Sequence, residues 1–258
     1  MKPGNLSIMS AIFISLVLFA LPIGSTWAGI IQNGLISHWT LDEAGNVEKD
    51  NAGNSNGELM NGAQAGAGKL DNGLALDGVD DHMKVATLDI SPGIHAELTL
   101  MVWVFPTSTG AGGQKNRRFL FGHDDGGWDR GLLMQDSNWR AGTGNDGTDY
   151  WDTGVEVTLE TWQHVALVYS AEDIKFYKDG EEYSYGSPGD IGDGNPALLI
   201  GAHPSQARYF QGIIDEICVY DRALAQDEIR RNIAALGLPV ESKGKLSTVW
   251  GKLKRNAQ

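Results

Sequence analysis

Apolar and polar positions alternate in short runs along most of this 258-residue chain, and turn residues separate the runs. Period-two patterning of that kind reads as β-strand. The runs lie at 35–41, 73–76, 83–85, 98–105, 118–122, 132–135, 162–169, 174–178, 197–201 and 210–220. Lys178-Asp179-Gly180-Glu181 marks a tight hairpin, because Asp-Gly supplies the two positive φ angles of a type I′ turn. Helical spacing appears once, at about 226–236, where Ile229, Ile233 and Leu236 share a face. Ten strands and one terminal helix without βαβ alternation predict an all-β antiparallel sandwich or jelly roll, and exclude a parallel doubly wound or barrel enzyme.

The two ends of the chain read differently. Lys2 precedes a run of 14 residues without charge, 8–21, which is short for a membrane span, and the stretch ends on small Ala28. Residues 1–28 are therefore expected to be a signal peptide, and the protein is expected to be secreted or held at the cell surface. Residues 29–238 form the expected domain, and 239–258 a basic tail whose spaced apolar residues would suit an anionic polymer, a membrane surface or a sorting role. Losing Lys2 makes the formal charge of −13 into −14; residues 241–258 carry five basic residues against Glu241, so 29–240 carry −18. Such a field repels phosphate backbones and argues against nucleic acid as partner. A single cysteine, Cys218, excludes an internal disulfide.

Several blocks, in order, resemble the laminin-G-like, concanavalin-A-like jelly rolls of bacterial exported proteins: GLISHWTLDE at 34–43, DNAGNSNG at 50–57, GLALDGVDD at 73–81, LTLMVWV at 98–104, WQHVALVY at 162–169, FYKDG at 176–180, and FQGIIDEICVY with DRAL at 210–224. The sequence departs from that pattern at Ala225, where a capping serine is usual, and in lacking a second cysteine. The resemblance implies a structural calcium ion held by Asp50, Asn54 and Asp215. The oxygen-rich, glycine-rich loop at 50–57 has suitable chemistry, and Asp215, set among isoleucines, needs a partner. The Asp77–Asp81 cluster reads as a strand-to-turn corner.

Two glycine-rich connections, 124–129 and 144–151, combine aromatics with carboxylates and amides, the mixture a sugar site requires. Trp128, Asp129, Trp139, Asn145, Asp146, Tyr150 and Trp151 are the candidate ligand residues there, whereas Trp39, Trp103 and Trp162 belong to strand patterns and to the core. Related glycanases alternate Glu, Asp and Glu along one strand; no Glu-x-Asp-x-Glu occurs here, and Asp215 and Glu216 are adjacent. No Gly-x-Ser-x-Gly or His-Glu-x-x-His motif appears either, and His164 lies in a strand pattern. The sequence thus points to a non-catalytic recognition or adhesion module for carbohydrate or cell-surface glycan. A structural or protein-binding matrix domain is the alternative, and a glycoside hydrolase a weaker one.

Overall fold

The computed structural model describes residues 29–43, 45–110, 117–123, 130–143, 150–186, 197–203 and 208–237. The expected signal peptide, the tail from 239 onward, and Trp128, Asp129, Asn145 and Asp146 lie outside them. The strands are β1 (Leu35–Trp39), β2 (Val47–Glu48), β3 (Gly57–Met60), β4 (Gln64–Ala67), β5 (Asn72–Asp77), β6 (His82–Val85), β7 (Leu98–Pro106), β8 (Arg118–His123), β9 (Arg130–Gln135), β10 (Asn138–Thr143), β11 (Trp151–Glu156), β12 (Gln163–Tyr169), β13 (Ile174–Lys178), β14 (Glu181–Gly186), β15 (Leu198–Ile200) and β16 (Gln211–Tyr220). One helix, α1 (Gln226–Leu236), follows.

The described strands all pair antiparallel and build two sheets. The first runs β14-β13-β12-β7-β16-β5-β4, with β1 also on β16; the second runs β11-β10-β9-β8-β15-β6-β3-β2. β5 pairs with residues 211–214 of β16 and β1 with 217–220, so the two share one edge of the longest strand. The register break between Asp215 and Cys218, where Glu216 takes φ 50°, makes room for the change. This is the all-β sandwich expected from the alternation.

The core lies between the sheets. Trp39, Leu74, Met83, Leu100, Phe121, Leu132, Trp139, Leu167, Phe176, Leu198 and Ile217 are buried within it. A second apolar layer covers the outside of the first sheet, where Met101, Trp103, Ala166, Cys218 and Tyr220 meet Leu224, Ile229 and Leu236. Asn232 of α1 accepts the Ile31 amide at 2.9 Å and donates to Tyr220 Oη, which tethers the segment after Gly29 to the helix. The helix lacks a side-chain cap at Ala225, but Glu228 accepts the Ala225 amide at 3.0 Å and pairs with Arg222, so half of the capping box survives.

Three expectations change. Trp162 is half-buried just ahead of β12, tilted against Phe105 at 5.6 Å, and not in the core. Trp103 is buried but on the outer face of its sheet, under the end of α1. The segments 138–143 and 151–156 are strands rather than loop margins.

Candidate functional site

The expected cation ligands each have surroundings of their own. Asp50 Oδ1 accepts the amides of His38, Ala52 and Gly53, and Oδ2 accepts Ser37 Oγ and the Ser55 amide, all at 2.9–3.0 Å. Burial pushes this carboxyl up, but the four amides outweigh it and hold Asp50 below the usual carboxylate range. Asn54 is exposed. Asp215, fully buried, accepts the amides of Lys69 and Leu70 through Oδ2 at 2.7 and 2.9 Å. Each carboxylate thus organises a different loop through N–H donors. No described contact joins Asp50 or Asn54 to Asp215. Backbone amides meet the need for a partner at Asp215 Oδ2, while buried Oδ1 has no hydrogen-bond partner among the described residues.

Three carboxylates do come together elsewhere. One oxygen each of Asp77, Asp80 and Asp81 lies within 4.8 Å of the others, at the turn between β5 and β6. Asp77 Oδ1 accepts the Val79 amide and Asp81 Oδ2 the Asp77 amide. Burial, with the charges of Asp77 and Asp80, raises Asp81 above the carboxylate range. This crowding of like charge is what a hard cation relieves, so the residues fit one. The sequence showed the acids but not their convergence, which depends on Gly78 at φ 79°.

The stems of the two sugar-candidate connections meet. Gly122 of β8, Gly131 of β9 and Gly142 of β10 are cross-strand neighbours in one row. His123, Arg130 and Thr143, described residues that bound the connections 124–129 and 144–149, pair in the next row along the sheet. The row carries no side chains of its own. Tyr150 closes over it: a Cβ placed on Gly131 would lie 2.8 Å from Tyr150 Cε1 and Oη. Phe119 and Leu133 complete a small outer apolar cluster with Tyr150, and Phe119 stands edge-on to Tyr150 at 5.6 Å and to His203 at 4.5 Å.

Two tryptophans turn away from this surface. Trp139 is fully buried in the inter-sheet core, because alternation along β10 sends Trp139 and Ala141 inward. Trp151, partly buried, packs against the same core and sits over Gly142 and Gly186, sealing the gap between β10 and β14. As placed, neither indole faces the loop-side surface; Tyr150 does, though only 5% of it is exposed.

The same alternation points polar side chains of β10 and β11 outward. Asn138 and Arg140 of β10 and Asp152 of β11 form one network: Asn138 Nδ2 donates to Asp152 Oδ1 at 3.0 Å, and Arg140 Nη2 to Asp152 Oδ2 at 3.1 Å. The period-two pattern of Asn138-Trp139-Arg140-Ala141 was the available signal. Beneath the same end, buried Arg130 donates to the carbonyls of Ile90 (2.9 Å) and His95 (2.5 Å) and lies over the Tyr169 ring at 4.4 Å, fixing the 90–95 segment. Burial lowers Arg130 to about 10.

Comparison with known proteins agrees with this architecture. The chain is similar to domain 4 of AbnA, an extracellular arabinanase from Geobacillus stearothermophilus solved with arabinotriose (20% identity, TM-score 0.62, 76% of this chain and 96% of that one). It is similar to the botulinum neurotoxin serotype D binding domain (14%, TM-score 0.62, 80% and 52%) and to Trypanosoma rangeli sialidase (22%, TM-score 0.58, 77% and 32%). At those identities the likeness is one of fold. In sequence it is 32% identical over 90 residues to the Homo sapiens adhesion G-protein coupled receptor D1, covering 33% of this chain and a tenth of the receptor. The family model for concanavalin A-like lectin/glucanases matches residues 77–230, and the chain belongs to that superfamily.

Proposed function

We propose that this protein is an exported, non-catalytic recognition module that binds carbohydrate at the loop-bearing end of its second sheet. The observation that supports this reading is the placement of the described ends of both sugar-candidate connections around the Gly122–Gly131–Gly142 row, with Tyr150 packed over Gly131. Connections rich in carboxylates, amides and aromatics, rooted beside Tyr150, supply the mixture a sugar ring needs. The arabinanase domain solved with arabinotriose supports the reading from the same fold. The absence of a Glu-x-Asp-x-Glu strand, and the burial of Asp215 against loop amides, support a binding role without hydrolysis. The experiment is a glycan array on the chain lacking residues 1–28: at least one glycan is retained, with no reducing sugar released. Retention of none, or hydrolysis of any, refutes the reading.

The match to an adhesion receptor favours protein binding as the second reading. Export rests on the charge-free run at 8–21 and the small residue at 28, and among the described residues no helix is long and apolar enough to cross a membrane. Secreted protein should begin at Gly29 by N-terminal sequencing, and an intact Met1 would contradict this.

Calcium belongs in this reading at Asp77, Asp80 and Asp81, where it would neutralise the crowded carboxylates and stiffen the turn between β5 and β6. Millimolar calcium should raise Tm by a few degrees. Asp80→Asn with Asp81→Asn should abolish the rise, and an unchanged rise in that variant would move the ion elsewhere.

A further inference from the structure

We infer that the outer face of the first sheet carries a seat for the chain's own C-terminal segment, filled by Leu238 and Val240. The seat lies where α1 stops. The helix follows β7 along that face: the Leu224 amide just ahead of it donates to Thr99 Oγ1 at 3.0 Å, and Asn232 Nδ2 to Met101 Sδ at 3.3 Å. Gly237 ends it over Trp103, where an added Cβ would lie 3.1 Å from Cζ2. Thr99, Met101 and Trp103 are alternate residues of one strand, so the next position on the same face is Phe105.

Phe105 is half-buried, whereas Thr99, Met101 and Trp103 are buried. Ile213 stands opposite it on β16 and is half-buried too, and Trp162 lies against its other side at 5.6 Å. Neither Phe105 nor Ile213 belongs to the apolar layer under α1. Together with Trp162 they form an apolar strip on the line of the helix, just past its end. The neighbouring Trp103 edge needs a partner as well. Lys69 Nζ lies over the Trp103 ring at 4.5 Å, but Nε1 is buried without an acceptor among the described residues. A buried indole N–H calls for one. Its edge of the ring is the one against Gly237, so carbonyls following Gly237 are the acceptors the chain would bring to it.

Residues 238–240 lie outside the described ones, and their sequence suits this place. Pro239 cannot continue a helix and biases Leu238 to extended backbone. Extended residues advance about 3.3 Å each and alternate sides, so Leu238 and Val240 share a side. Phe105 lies two residues beyond Trp103, about 7 Å along β7, which is the reach of Leu238 to Val240. Charge selects the occupant. Residues 29–240 carry −18 and 241–258 are net positive, so the tail is drawn to the domain while a second copy would be repelled.

The seat also sets a direction. The 90–95 segment, tied to Arg130 at the loop-bearing end, leads into β7 at Leu98, so Phe105 lies at the opposite end. Basic residues from Lys243 onward therefore leave the domain away from the loops. A tail held on an anionic surface would present the loop-bearing end outward, whatever that end binds.

The test is thermal melting and 15N chemical-shift comparison on the chain 29–258. Cutting after Gly237 should lower Tm by about 5 °C, whereas cutting after Val240 should leave it unchanged. Leu238→Ser with Val240→Ser should reproduce the loss in the uncut chain. In a Phe105→Ala background the serine pair should cost less than half as much, because the two sides of the contact are coupled. The amides of Phe105 and Ile213 should shift on cutting after Gly237, and those of Gly131 and Tyr150 should not. A Tm unmoved by that cut, or a serine-pair loss undiminished by Phe105→Ala, overturns the seat. Dimers in sedimentation that Phe105→Ala dissolves would give the strip to a second copy and overturn it likewise.

Discussion

Replacing Asp50 by alanine should destabilise the fold by roughly 3 kcal/mol, because it strips partners from four backbone amides and one hydroxyl at once. For a domain of this size that is a fall in Tm of about 10 °C. The loop at 50–57 packs on β1 and holds Trp39, whose Nε1 donates to the Ser55 carbonyl at 2.9 Å, so its loss loosens the core. Asp50→Asn should recover only part of the loss: its amide end would face N–H donors on either side. Gly53→Ala should fail in the same place, because a Cβ there would meet the Ile36 carbonyl at 2.4 Å. If Asp50 were instead a metal ligand, chelator alone would reproduce the loss in the unmodified protein. The network in the structure predicts that it does not. Thermal melts of the three variants, with and without chelator, decide the matter.

The second large effect is a dependence of stability on pH with an optimum near pH 5. Burial raises Asp215 to about 7, with the Glu216 charge adding to it and the loop amides opposing. Burial raises Glu48 to about 7 as well, helped by Glu43 and Asp42. Both groups hold a proton in the folded state that the unfolded chain has already lost, so stability falls as pH rises from about 4 through 7. On the acid side the signs reverse. Burial drops His164 to about 3, so the unfolded chain gains a proton first and stability is lost as pH falls from 6.5 towards 3. Asp50, held low by its amides, adds to the same acid limb. Asp215→Asn should therefore raise stability at pH 8 by on the order of 2 kcal/mol and change it little at pH 4. An Asp215→Asn variant destabilised equally at both pH values would show that the carboxylate's charge is not what matters there.

Much of the fold was legible because its strands obey simple periods. The β13–β14 hairpin turns on Asp179 at φ 52° and Gly180 at φ 80°, as its Asp-Gly pair requires. The helix occupies the segment where Ile229 and Leu236 recur at helical spacing, and both are buried against the first sheet. The strands that escaped notice, β2, β3, β4, β10, β11 and β14, are short or polar, and their pairing partners supply what composition does not. The site suffered most from this. Acids and glycines surround Trp139 and Trp151 in sequence, as they would loop aromatics, yet strand alternation turns both towards the core. That turn is also what exposes Asn138, Arg140 and Asp152. Asp50 stands out by its loop chemistry, but the four amides it gathers come from the folded loop and from β1, which sequence alone does not bring together. The convergence of Asp77, Asp80 and Asp81 depends on a positive φ at Gly78, a property of the folded turn.

The most direct measurement is chemical-shift mapping on the 15N-labelled chain from Gly29 onward, titrated with the tightest-binding glycan of the array. Binding at the loop-bearing end predicts saturable shifts in the amides of Gly122, Gly131, Gly142, Tyr150 and Asp152. Those of α1 and of the Asp77–Asp81 turn should stay still. Shifts centred on α1 or on that turn, or no saturable shift at all, would contradict the account.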